Sequence, residues 1–108
     1  MSISTHVLDT TRGRPAAGIP VKLEFQTSAQ TWARLGEQVT DGDGRVRSFV
    51  APETKLASGV YRLIFDVDSY QRGFYPSVVL TFRVENPDEH YHVPLLLGAF
   101  GYTTYRGS

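Results

Sequence analysis

An all-β chain folded as a two-sheet sandwich is what this sequence predicts. Three observations carry that expectation. Apolar residues alternate with their neighbours at period two, as Val21, Leu23 and Phe25 do, which is the pattern of a strand with one buried face. About eight such runs occur and all are short. Clusters of Gly, Pro, Asn and Asp separate them, and these are the residues that tight turns require. Short strands at this spacing point to a sandwich rather than to alternating strands and helices.

Taken in order, Ile3 to Leu8 is the first strand. Gly13 to Gly18 reads as a loop, because glycine and proline punctuate it. Ile19 to Gln26 and Trp32 to Thr40 are the second and third strands. Asp41-Gly42-Asp43-Gly44 is a tight turn. Its acidic spacing faintly resembles a calcium loop, but the further oxygen ligands and late Glu of such loops are missing. Arg45 to Phe49 is a short fourth strand, and Gly59 to Val67, with Val60, Leu63, Ile64 and Phe65, is the fifth. For Asp68 to Arg72 we expect a helix of one or two turns, started by Asp66 or Asp68 and ended by Gly73. Val78 to Glu85 follows Pro76, and Asn86-Pro87-Asp88 turns the chain. Tyr91 to Leu97 and Phe100 to Tyr105, parted by Gly98-Ala99, are the last strands. No repeat, low-complexity run or linker intervenes, so one domain over 1–108 is expected.

Composition narrows the function. A chain of 108 residues, 41% of them hydrophobic, can bury a single core. With no cysteine, disulfides, thiolate chemistry and Cys-ligated metals are excluded, which fits a reducing compartment. Eleven basic residues balance eleven acidic ones, so no basic face for nucleic acid is implied. Met1 to His6 lacks the charged and apolar regions of a signal peptide, and no apolar run approaches a membrane span. Arg106-Gly107-Ser108 is not a peroxisomal tripeptide. A cytoplasmic protein with no membrane contact is therefore expected.

Chemistry centres on three histidines. On strands, His6 shares a face with Ser4 and Leu8, while His92 shares one with His90, Pro94 and Leu96. A lone strand histidine is most often a satisfied surface or core residue. It is also the usual general acid or base near neutral pH. His90-Tyr91-His92 has metal-ligand spacing, and His6 is a conceivable third ligand, but i,i+2 histidines are common by chance. No nucleophile elbow or phosphate-cradling glycine loop is present. Tyr102-Thr103-Thr104-Tyr105 is an aromatic, β-branched strand where termini normally fray, so it must be tied down, for instance in an interface.

Four segments, in order, resemble the 5-hydroxyisourate hydrolases of the transthyretin-like family. They are Ser4-Thr5-His6-Val7-Leu8-Asp9 with Gly13-Arg14-Pro15-Ala16, then Asp43-Gly44-Arg45, then His90-Tyr91-His92-Val93-Pro94-Leu95-Leu96, and finally Gly101 to Ser108 ending Tyr-Arg-Gly-Ser. The likeness spans residues 4 to 108; Gly98-Ala99-Phe100 and Thr103 depart from it. It implies two four-stranded sheets, a homotetramer built as a dimer of dimers, and a metal-free, cofactor-free site in a channel between dimers. The catalytic residues it implies are His6, Arg45, His92 and Ser108, with Tyr105 lining the pocket. Its substrate, 5-hydroxyisourate, is a strained cyclic amide made by urate oxidation. Opening its ring needs a base for water and a cation or donor for the oxyanion. Either His6 or His92 suits the base, the other orienting water or protonating the leaving nitrogen, and Arg45 offers forked donors. His90 is assigned to the solvated turn.

Strict alternation puts Tyr105 and Gly107 on one face and Ser108 on the other, so a bend near Gly107 is expected, or else the terminal carboxylate or backbone acts in place of the side chain. The alternative function is a transthyretin-type carrier that binds a small ligand without turnover, since fold does not fix function. Hormone carriers of this fold lack the set His6, Arg45, His92 and Tyr-Arg-Gly-Ser.

Overall fold

The computed structural model describes residues 2–108. It is all-β and has ten strand segments. These are β1 (Ile3–Asp9), β2 (Arg14–Pro15), β3 (Pro20–Ser28), β4 (Thr31–Val39), β5 (Arg45–Val46), β6 (Gly59–Asp66), β7 (Ser77–Val84), β8 (Tyr91–His92), β9 (Leu95–Leu97) and β10 (Tyr102–Thr104). One sheet runs β4-β3-β6-β7, antiparallel throughout. The other is built around β1. Along one edge of β1 lie β2 and β5, both antiparallel; Val7 uses its N–H on Gly44 O (2.7 Å) and its C=O on Ala16 N (3.0 Å). Along the other edge run β8 and β9, both parallel to β1, and β10 pairs outside β9. Six segments thus fill four strand positions, and the sandwich has two four-stranded layers as expected.

β8 and β9 are one strand with a gap. Ile3 faces Tyr91 and Val7 faces Leu95, so the register never slips. The gap falls at Val93-Pro94, where proline has no N–H for the ladder. Thr5, buried in β1, donates its hydroxyl to Val93 O there (2.6 Å).

The core lies between the layers. Ile3 and Val7 of β1 and Leu95 meet Val21 and Leu23 of β3 and Leu63 and Phe65 of β6, all at 0% exposure. These are the period-two positions of the sequence, and burying each stabilises the fold by roughly 1.5–3 kcal/mol.

Several local expectations need correction. No helix forms among the described residues. Asp66 does cap the segment, accepting Ser69 N (3.2 Å) and Ser69 Oγ (2.5 Å). The N–H groups of Tyr70 and Gln71 then both reach Val67 O (2.9 Å each), and the coil stops after one turn. Five residues make too few bonds to offset helix nucleation. Arg14-Pro15, read as loop, is a ladder segment, and the fourth strand is only Arg45–Val46. The Asp41 turn is held by its own carboxylate, which accepts Asp43 N (2.9 Å) and Arg45 N (3.0 Å). Gly44 needs to be glycine: its φ is 75°, and a Cβ would come within 2.4 Å of Val7 O.

Candidate active site

The outer face of the β1 sheet collects the chemistry. Alternation along β1 sends Ile3, Thr5 and Val7 inward and Ser4, His6 and Leu8 outward. Register then aligns the neighbours: Arg45 sits across from His6, and His92 across from Ser4. The Asp41–Arg45 turn delivers Arg45 to this position. The tail arrives from the opposite side. β10 pairs Thr104 with Leu95, and the same register continues to a bridge between Gly107 and His92, with Gly107 N donating to His92 O (2.8 Å). Tyr105 therefore falls across from Pro94, on the outer face.

On this face lies a depression of about 260 Å³, lined by Ser4, Arg45, Arg47, His90, His92 and Ser108 among others. Ser108 reaches it beyond Gly107, which lies flat against the His92 ring; a Cβ on Gly107 would stand 2.6 Å from His92 Cδ2. His6 is half-buried beside the depression rather than in its lining, and Tyr105 lies outside it, 57% exposed. Arg106 points away: it pairs with Glu89 (2.9 Å) and stacks over Tyr91 at 4.4 Å, which pins the tail.

The surroundings of His92 favour its neutral ring. Partial burial lowers its pKa first, and the positive charge of Arg45, then His90 and His6, lower it further. Its Nδ1 is hydrogen-bonded to Ser4 Oγ (2.8 Å), and its Nε2 has no protein partner among the described residues. A neutral imidazole beside a guanidinium can take a proton from water, while the cation holds developing negative charge.

Two residues beside His92 were not singled out as site residues by the sequence reading. Ser4 Oγ also contacts His90 Nε2 (3.1 Å), and Ser2 Oγ contacts His90 Nδ1 (2.6 Å). The His90 and His92 rings lie 6.5 Å apart and nearly parallel, at 13°. His90 is exposed, but it borders the depression instead of belonging only to the turn. The i,i+2 spacing of the two histidines was the available signal. Among the described residues, no three His, Cys, Asp or Glu side chains gather closely enough to hold a metal ion.

A second recess, of about 200 Å³, lies around Asp9, Arg12, Tyr70, Phe74 and Phe100. Its carboxylate is already committed. Burial pushes the Asp9 pKa up, but the Tyr70 hydroxyl (2.7 Å), the Arg12 N–H (3.0 Å) and the Arg12 charge outweigh that and leave it lowered.

Known proteins share this sequence and fold. A probable 5-hydroxyisourate hydrolase of Caenorhabditis elegans is 44% identical over 112 residues, covering 99% of this chain and 81% of the relative. The solved structure of the 5-hydroxyisourate hydrolase of Klebsiella pneumoniae superposes with a TM-score of 0.84 at 29% identity, covering all of both chains. Sea bream transthyretin in complex with thyroxine superposes with a TM-score of 0.87 at 28% identity, over 99% of this chain and 95% of that one. The family model described as HIUase/Transthyretin family matches residues 3–107. By sequence and by fold, the chain belongs to the HIUase/Transthyretin family.

Proposed function

We infer that this chain is a hydrolase that opens the ring of 5-hydroxyisourate in urate degradation, acting as one domain over 1–108. The observation that carries the reading is the convergence of His6, Arg45, His92 and Ser108 at one outer sheet face, from segments far apart in the chain. Binding alone does not call for a histidine kept neutral beside a cation. The carrier reading, which shares the fold of thyroxine-bound transthyretin, leaves that arrangement without a purpose.

His92 takes the role of base, since burial and Arg45 hold it unprotonated. It removes a proton from water as the water attacks the ring carbonyl. Arg45 directs its forked donors at the oxyanion. His6, across the ladder from Arg45, orients the water or protonates the leaving nitrogen. Ser108 and Tyr105 contact the substrate edge. No cofactor or metal enters this scheme. Tyr105 and the outer face are completed by a second dimer in a homotetramer, and the cysteine-free composition fits a cytoplasmic location.

The test is direct. Urate is oxidised by urate oxidase and the loss of 5-hydroxyisourate absorbance is followed with and without this protein. Decay should quicken in proportion to protein concentration. Decay at the spontaneous rate with micromolar protein sinks the hydrolase and favours the carrier.

A further inference from the structure

A serine hydroxyl has one proton to donate. Ser4 Oγ stands between two ring nitrogens, His92 Nδ1 at 2.8 Å and His90 Nε2 at 3.1 Å. It can donate to one and must accept from the other. The next link behaves alike, because His90 Nδ1 meets Ser2 Oγ at 2.6 Å. Ser2, His90, Ser4 and His92 therefore form one hydrogen-bonded chain with two directions. In one, Ser4 donates to His92 Nδ1 and His92 carries its proton on Nε2. In the other, His92 Nδ1–H donates to Ser4, Ser4 donates to His90 Nε2, and His90 Nδ1–H donates to Ser2. Only the second leaves His92 Nε2 bare and able to act as a base. The inner link is sheltered, with Ser4 at 7% exposure, while His90 opens to solvent.

We propose that Ser4 and His90 are positioning residues that set the His92 tautomer and carry its proton to solvent. The inference rests on the hydrolase reading. Ring opening adds one water: a C–O bond forms, a C–N bond breaks, and the leaving nitrogen takes a proton. The new carboxylic acid ionises at neutral pH, so each turnover releases one proton. As water attacks, one of its protons goes to His92 Nε2 while the Nδ1 proton passes to Ser4. Ser4 passes its own to His90 Nε2, and His90 Nδ1 releases one through Ser2 to water. Both rings are then Nε2–H tautomers, and collapse runs the chain backwards: His92 Nε2 gives its proton to the leaving nitrogen while one re-enters from water through Ser2, His90 and Ser4. Each ring and hydroxyl ends as it began, no electrons move, and the proton released per turnover is that of the new acid.

Two variants test it. Ser4→Ala removes the link, and His90→Gln removes the outlet at an exposed position where folding is not at risk. Each should lower kcat about tenfold, less than the roughly 10²–10⁴-fold of losing the acid or base itself because His92 is still present, with KM changed by less than about twofold. Added imidazole buffer should restore turnover in His90→Gln in a concentration-dependent way and leave the unmodified protein unaffected. Variants with unchanged kcat, or a loss that buffer does not restore in His90→Gln, would overturn the relay.

A readout free of turnover separates this from failure of the hydrolase reading. Ring-nitrogen NMR shifts of His92 and His90 should change together in Ser4→Ala. If they respond independently, the chain does not exist, whatever the protein hydrolyses. If they move together while the unmodified protein fails to hasten 5-hydroxyisourate decay, the hydrogen-bonded chain stands, and both the substrate assignment and the relay's catalytic role fall.

Discussion

Arg45 is the residue on which most depends. Its charge lowers the His92 pKa, and in the proposed scheme its donors hold the oxyanion. Replacing it with alanine should lower kcat/KM by about 10²–10³-fold, and NMR titration should show the His92 pKa rising toward the ordinary histidine value. No rise would mean that burial and the two neighbouring histidines set it without Arg45. The sign of the pH effect follows from the same shift. His92 titrates near 6.5 when unfolded and lower when folded. Its contribution to stability is complete above about 6.5 and is lost as pH falls through the lower folded value. Activity that needs a neutral His92 should likewise persist below pH 6.5. Gly107 gives a second prediction. With a Cβ 2.6 Å from His92 Cδ2, Gly107→Ala must shift the ring, and kcat should fall by about 10²-fold, the usual cost of a misplaced group. Melting should change little. Full activity would show that the ring tolerates displacement.

At the scale of elements, strands long enough to show alternation were legible in the sequence. β1, β3, β6 and β7 each carry apolar residues at period two, and each lies near its expected place. Two-residue segments such as β2 and β5 show no period at all, so their pairing exists only once β1 is there to pair with. The helix was overread because its start and stop signals were present, while the five residues between them were too few. His6, Arg45 and His92 were found through family resemblance; Ser4 and His90 were missed because their contact depends on the parallel register of β1 with β8. The link between the turn after β6 and the end of β1 is open to test. Tyr70 donates to the buried Asp9 carboxylate at 2.7 Å. Tyr70→Phe should cost about 1–3 kcal/mol in urea unfolding and raise the Asp9 pKa. An unchanged unfolding midpoint would show that Arg12 satisfies the carboxylate alone.

For the whole molecule, the open question is how many copies act together. Phe74, Phe100, Tyr102 and Tyr105 are exposed at 40–79%, more aromatic surface than a solitary chain of this size is expected to leave in water. Light scattering should give a particle of four 12.0 kDa chains, and activity per chain should fall on dilution below the assembly threshold. Fully active monomers at nanomolar concentration would remove the second dimer from the site. The parallel pairing of β1 with β8 and β9 bears on how such a protein is made. Ser4 and His92 stand 88 residues apart in the chain, so the ribosome must extrude nearly everything between them before they meet. Until then β1 has one complete edge and one open edge, and an open edge is a template for a strand from another chain. The face that carries His6, Arg45 and His92 is thus the last part of the protein to come into being, and crowded synthesis puts it at risk before heat does.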